Sequence, residues 1–280
     1  MQRRTLLKFL SGASFTALAG HAIFIEPHQL VVSSHEVDET RGQGSGLKLL
    51  QISDLHLKRV GDFERQLIAT INQQQADILL FTGDILDRAT TLPALDAFLA
   101  LLDRKSAKYA ILGNWENHSK VSLAGLRATY AQHECQLLIN ESIVYRQGDR
   151  ELLITGLDDT VEGWPDLVKA LRGFKPTANH LVLAHAPNQL DVWSEAERAL
   201  LDRFKPQLML SGHTHGGQIT VLGFAPVLPR GTGRYIKGWY REQMPQLYVS
   251  RGLGGSGTTA RLGAKPEIVV LDWMLKPLVS

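Results

Sequence analysis

The stretch richest in chemistry is Gly212-His213-Thr214-His215-Gly216-Gly217-Gln218, which follows the apolar run Gln207-Leu208-Met209-Leu210. A strand ending there delivers two imidazoles into one crevice, and the glycines let the backbone turn beside them. Four other apolar runs end the same way. Residues 47–52 lead to Asp54 and His56, 77–82 to Asp84, 107–112 to Asn114, and 181–184 to His185. A single histidine in such a place is more often a hydrogen-bonded side chain than a ligand. Two aspartates, an asparagine and four histidines at five such ends make a ligand set. Free of thiolates, it suits two close divalent metals of borderline hardness, Mn, Fe or Zn, joined by one carboxylate. Asp84 is the candidate bridge, because Gly83 beside it permits close approach.

The elements that must position these residues are also legible. Phe63, Leu67, Ile68 and Ile71 recur at helical spacing, and Pro93 opens a second helix with the stripe Leu95, Phe98, Leu99 and Leu102. The first half therefore alternates strand and helix, with polar residues at the carboxyl end of each strand, where open α/β sheets bind ligands. In the second half, residues 137–145 and 151–157 predict antiparallel strands around Gln147-Gly148-Asp149, and 164–172 a helix. A strand over 181–184, a helix over 191–204, and strands near 219–221, 246–250 and 267–273 follow. That order fits an α/β protein of two packed sheets with helices outside. Residues 47–280 read as one domain. Ahead of it, 26–46 reads as an edge strand at Leu30-Val31-Val32 and a flexible connection, Gly42-Gln43-Gly44-Ser45-Gly46.

Composition narrows the function. With 280 residues, 44% of them hydrophobic, the chain is long enough for one large core. Cys135 is the only cysteine, which excludes an intrachain disulfide and a thiolate metal cluster. Residues 1–25 carry Arg3-Arg4 and Lys8, an acid-free apolar stretch, and a small-x-small site at Ala17-Leu18-Ala19. They resemble a twin-arginine export signal in which Gln2 and Leu6 depart from the strict pattern; a retained membrane anchor is the other reading. Removing Arg3, Arg4 and Lys8 takes the formal charge from +2 to −1, so the body offers no basic surface for nucleic acid. The expected location is periplasmic, or at the membrane or cell wall. A monomer is expected.

Asp54-x-His56, Gly83-Asp84-x-x-Asp87, Gly113-Asn114, His185 and Gly212-His213-x-His215, in this order, resemble the five blocks of the calcineurin-like metallophosphoesterases. The resemblance covers residues 47–273. It implies a four-layered α/β/β/α sandwich of two mixed sheets flanked by helices. It places Asp54, His56 and His215 on one metal, Asn114, His185 and His213 on the other, and Asp84 between them, with Asp87 in support. Asn114, His185 and His213 are then also the catalytic residues, and a hydroxide bridging the metals attacks a phosphoester. One position departs: Trp115, followed by Glu116, stands where most members carry a histidine that protonates the leaving oxygen. Relatives acting on UDP-diacylglucosamine share that loss. A leaving group of low pKa needs less protonation, so Trp115 favours a pyrophosphate or an activated diester.

The N-terminus and Tyr248-Val249-Ser250-Arg251-Gly252-Leu253-Gly254 are similar to an exported bacterial phosphodiesterase branch related to those pyrophosphatases. The expected partner is a phosphate ester, lipid- or envelope-linked, such as UDP-diacylglucosamine or a phospholipid. Arg230, Arg234, Lys237 and Arg241, interleaved with Tyr235, Trp239 and Tyr240, are candidates for an anionic head group or a membrane surface. A solvated loop with snorkelling side chains is an equal reading of them. A nuclease or nucleotide phosphodiesterase of the same superfamily, and a metal-binding protein without catalysis, stand as alternatives.

Overall fold

The computed structural model describes residues 16–37, 46–148, 150–221, 223–255 and 257–277. Alternation along each strand decides the layering. In β2 (Leu47–Ile52), Leu47 and Leu49 pack between two sheets, while Leu50 and Ile52 pack under helices. β3 (Ile78–Thr82) repeats this, with Ile78 and Leu80 inward and Leu79 and Phe81 outward. A strand covered on both faces reads as an unbroken apolar run, and that is why these segments stand out in the sequence.

One sheet runs β1 (Val31–Glu36), β12 (Glu267–Trp273), β2, β3, β4 (Ala107–Ile111), β5 (Cys135–Leu137). Only its β12–β2 pairing is antiparallel. The other runs β10 (Gly238–Tyr240), β11 (Gln246–Val249), β9 (Leu208–Ser211), β8 (His180–Leu183), β7 (Arg150–Gly156), β6 (Glu141–Gln147). It is parallel in the middle and antiparallel at both edges. Ile154, Leu183 and Leu210 face the first sheet. Leu153, Val182 and Met209 face outward. The helices α1 (Asp62–Gln73), α2 (Leu92–Leu99) and α4 (Leu123–Gln132) cover the first sheet, and α3 (Asn114–His118) is a short turn after β4. The second sheet is covered by α5 (Leu167–Ala170) and α6 (Glu195–Phe204). This is the four-layered α/β/β/α sandwich of two mixed sheets that the sequence implies.

The sheets are tied together beneath the strand ends. The buried amide of Gln51 donates to Thr82 Oγ1 at 2.9 Å within its own sheet and to the Ser211 carbonyl of the other at 3.0 Å. Leaving such a group unpaired costs on the order of 1–3 kcal/mol, so this side chain holds the ends of β2, β3 and β9 in register.

Several expectations shift. Residues 137–145 are not one strand, because β5 and β6 lie in different sheets. Asn140 breaks the run at φ 54°. Its side chain accepts from the Asp158 and Asp166 amides and donates to the Trp164 carbonyl. The helix expected over 164–172 shrinks to α5, whose start is fixed by Asp166 accepting from the Lys169 amide. That over 191–204 splits into a 3-10 turn, Pro187–Asp191, and α6, where Ser194 and Glu197 form a capping box. The strand near 219–221 is reduced to isolated bridges, Ile219 with Leu262 and Val221 with Phe224. α4 escaped notice because only Leu126 and Tyr130 of its residues are buried, too sparse a stripe to read.

At the N-terminal end, residues 16–20 are helical and continue into turns at His21–Ile25 and Glu26–His28 before β1 forms the sheet edge. Arg3-Arg4 and Lys8 lie outside the described residues, as does all but Gly46 of the glycine-rich connection. Among the described residues no helix is long and apolar enough to cross a membrane.

Candidate metal centre

Past their ends, β2 and β3 stay paired through their loops. The amides of Asp54, His56 and Leu57 donate to the carbonyls of Gly83, Asp84 and Ile85 at 3.1, 3.0 and 2.8 Å. Asp54, His56, Asp84, His213 and His215 have φ values of 51, 48, 52, 72 and 51°. Left-handed backbone costs a non-glycine residue about 1–3 kcal/mol and persists only where its surroundings enforce it. Five such residues on one crevice mark it as a built site. Two glycines allow the loops to close on each other. A Cβ on Gly113 would sit 2.2 Å from Asp84 Oδ1, and one on Gly212 only 1.9 Å from Ser53 Oγ.

All seven sequence-predicted ligands come together at this crevice. Asp54, His56 and His215 place one ligand atom each within 4.8 Å of one another, and so do Asp84, His185 and His213; all six are buried. His56 Nε2 and His215 Nε2 face each other at 3.1 Å. Asp84 Oδ2 lies 3.2 Å from His185 Nε2 and 3.9 Å from His56 Nε2, so one carboxylate oxygen reaches a histidine of each cluster. Asn114 Oδ1 joins the second cluster, 2.9 Å from His213 Nδ1.

The donor set fits cations. Asp54 Oδ2 and His185 Nε2 are buried without a hydrogen-bond partner, a state that buried polar atoms rarely tolerate. Three imidazoles have their far nitrogen held by an oxygen: His185 Nδ1 by the Thr82 carbonyl and His213 Nε2 by the Arg230 carbonyl, both at 2.7 Å, and His56 Nδ1 by the Asp87 carboxylate. An acceptor there takes the N–H and turns the other nitrogen's lone pair into the site, the usual arrangement behind a metal ligand. Asp54 Oδ1 and Asp84 Oδ1 are likewise fixed by the amides of His213 and Trp115, each at 2.8 Å.

Electrostatics agrees. Burial pushes the Asp84 carboxyl up, but His185 and then His56 outweigh it and hold it well below the usual carboxylate range. Burial pulls His185 down, yet the Asp84 and Asp54 carboxylates raise it well above the ordinary histidine value. His56 is also raised, against burial, by Asp87 and Asp84. Burial and the neighbouring His185 lower His213, and burial with His56 lowers His215. The carboxylates thus favour the protonated forms of His56 and His185 in the metal-free chain, and metal binding competes with protons there.

Sequence reasoning overlooked the residues that brace the site from behind. Glu116 is buried and accepts from four backbone amides, those of Asp84, Ile85, Leu86 and Gly113, at 2.7–3.0 Å. Burial and then the Asp84 charge push its carboxyl up to about 7, while the Leu86 and Gly113 amides pull the other way. Arg261 is buried and ties the carbonyls of Arg251, Gly254 and Ala264 together, with Nη2 3.5 Å from His215 Nδ1. The glycine-rich loop it holds lies against Asp54, whose carbonyl accepts from the Gly254 amide at 2.7 Å. No spacing rule signals Glu116 or Arg261, since both act on main chain far away in sequence.

Other candidates resolve into structure. His133 pairs with Asp96, His180 contacts Thr155, and Cys135 is buried with its thiol pushed up by desolvation. Of the basic cluster, Arg241 stacks 3.7 Å from the Trp239 ring and donates to the Glu36 and Val37 carbonyls. Arg234 pairs with Asp191, and Lys237 donates to the Gly263 carbonyl. Most of that charge braces the protein itself.

Two sheets that present two adjoining metal clusters at their strand ends define a dinuclear hydrolase architecture. A model of the calcineurin-like phosphoesterases matches residues 47–217, and the chain belongs to that family. It is 32% identical to a Bacillus subtilis protein described as the uncharacterized metallophosphoesterase YkuE, over 96% of both chains. The uncharacterized metallophosphoesterase YkoQ of the same organism is 28% identical, over 85% of this chain and 88% of that one. Phosphodiesterase YaeI of Escherichia coli is 27% identical, over 97% and 99%. The chain is a metal-dependent phosphoester hydrolase, with clusters suited to two divalent metals.

Proposed function

We propose that the protein hydrolyses a phosphodiester or pyrophosphate bond in a lipid- or envelope-linked substrate, after export by the twin-arginine route. The diester reading draws on the full-length similarity to a phosphodiesterase. The observation that carries the lipid reading is a cavity of about 620 Å³ opening onto the clusters. Asp84, Asn114, His213 and His215 form its polar floor. Trp115, Ile219, Pro226, Val227 and Pro229 give it an apolar wall, which suits an acyl chain better than a sugar or a base.

In this reading Asp54, His56 and His215 would hold one metal and Asn114, His185 and His213 the other, with Asp84 within reach of a histidine of each group. The bound metals supply an activated water and positive charge for the phosphoryl oxygens. Asn114, on the cavity floor, would orient the phosphoryl group as well. Asp87 and the carbonyls of Thr82 and Arg230 keep three imidazoles in the ligating tautomer. Trp115 has no proton to give; its ring stands edge-on to His56 and His118, with centroids at 5.9 and 5.7 Å. His118 also lines the cavity and, apart from the cluster histidines, is the imidazole there that could serve the leaving oxygen.

Mn²⁺-loaded protein is expected to hydrolyse bis-p-nitrophenyl phosphate, and to turn over diacyl pyrophosphates or phospholipids faster than short-chain analogues with the same head group. Equal rates on long and short chains remove the lipid reading, and inertness to all diesters and pyrophosphates removes the function. His118→Gln is expected to slow an alkyl diester more than the p-nitrophenyl one, whose leaving group needs little protonation. Replacing Arg3 and Arg4 with lysine is expected to trap the precursor inside the cell. Normal export of that variant sinks the twin-arginine proposal.

A further inference from the structure

Two exposed apolar segments lie on either side of residues 261–264, and one of them also lines the cavity. One is the turn that follows the N-terminal apolar stretch, where Ile23, Phe24 and Ile25 face solvent and Phe24 is 74% exposed. The other is the loop after the metal-centre histidines, where Val221, Phe224, Val227 and Leu228 are exposed, Phe224 by 71% and Val227 by 79%. Side chains of this size in such numbers are not left to water without a reason.

Residues 261–264 join the segments into one surface. The Arg261 amide donates to the Ala22 carbonyl at 2.8 Å, and the Ala264 amide to the Glu26 carboxylate at 2.8 Å. On the opposite side the Thr220 amide donates to the Leu262 carbonyl at 2.7 Å, and the Leu262 amide to that of Gln218 at 2.9 Å. Val227 belongs to the surface and to the cavity wall at once. Cations border the patch: Arg230 and Lys265 are exposed, and Lys237 is anchored on the Gly263 carbonyl. Carboxylates also lie nearby: Glu26 and Glu267, both buried and both acting on Lys237, and Asp84 and Glu162 on the cavity lining.

We propose that these two segments form one docking surface for an anionic lipid bilayer, with the cavity mouth at its rim. The proposal rests on the lipid-linked substrate reading above and gives it a route: an acyl chain passes along the loop wall into the cavity without crossing water. Apolar side chains enter the interfacial layer while the exposed Arg230 and Lys265 meet the anionic head groups. The described end of the apolar, acid-free stretch, residues 16–25, leads into the same face, so a retained N-terminus and the loop would engage one membrane together.

The test uses full-length, metal-loaded protein and sedimentation with vesicles of phosphatidylcholine, with and without phosphatidylglycerol. Binding is expected to be stronger with phosphatidylglycerol. The double variant Val221→Ser/Phe224→Ser is expected to lower partitioning about tenfold while hydrolysis of soluble bis-p-nitrophenyl phosphate stays at the wild-type rate. Phe224→Trp is expected to add a fluorescence signal that brominated-chain lipids quench. Unchanged partitioning of the double variant, or no added quenching, overturns the proposal and leaves residues 9–25 as the sole anchor. A change in self-association with vesicle binding intact also overturns it and assigns the surface to a second copy. Loop-dependent binding with no hydrolysis of any lipid substrate supports the surface and defeats the substrate reading instead.

Discussion

On the inner side of the cavity, Asp54, Asp84, His185 and His213 are each fixed by a backbone group, and glycines at 113 and 212 leave no room for adjustment. On the outer side, residues 219–229 are held by isolated bridges and present Phe224 and Val227 to solvent. The inner wall accepts five left-handed residues to bring ligands within reach of two cations. The outer wall leaves apolar surface exposed. In the proposed reading, chemistry sits on rigid strand ends, where displacement is costly, and substrate preference on a loop that can vary without disturbing it.

The contrast can be broken from either side. Asp84→Ala strikes the group shared by both clusters, and bis-p-nitrophenyl phosphate hydrolysis is expected to fall about 10³-fold, as when a preorganised charge-stabilising group is lost. Activity within a factor of a few of wild type shows that the inner wall is not the catalytic machinery. Glu116→Gln leaves every ligand in place and loosens the loops behind them. Metal affinity, measured by competition with a chelator, is expected to drop about 10–100-fold with the circular dichroism spectrum unchanged. On the outer wall, Val227→Asp is expected to lower kcat/KM for a diacyl substrate about tenfold more than for a short diester. A uniform loss on both substrates moves Val227 to the inner category.

A separate effect, on stability rather than activity, belongs to a residue in neither wall. Burial lowers His180 from 6.5 to about 4, so the folded chain keeps it neutral where the unfolded chain takes up a proton. Its contribution is full above pH 6.5 and is lost as pH falls towards 4, at most about 3 kcal/mol. Urea midpoints of metal-free protein across that window are expected to be flatter for His180→Phe than for wild type. Equal slopes contradict the assignment.

Legibility in the sequence follows the same division. Strands covered on both faces write unbroken apolar runs, and a polar residue just past each run marks its end, so all seven candidate ligands that the structure brings to the inner wall could be named. Glu116 and Arg261 were invisible because their partners are amides and carbonyls, which any residue supplies. Asn140 hid a crossing between sheets inside what reads as one strand. The basic stretch from Arg230 to Arg241 reads equally as a ligand surface or a solvated loop, and in the structure Arg234 and Arg241 turn back onto Asp191, Glu36 and Val37. Charge pattern alone does not reveal whether an arginine faces solvent or its own chain.

The central claim is that two metals sit between Asp54, His56 and His215 on one side and Asn114, His185 and His213 on the other, with Asp84 shared. Metal content per chain, measured by elemental analysis while activity is followed through a Mn²⁺ titration of chelator-stripped protein, tests it most directly. The account predicts that activity saturates only at about two equivalents per chain, as an oxygen-bridged pair requires, and that His213→Ala lowers the number bound. Full activity at one equivalent or none contradicts it.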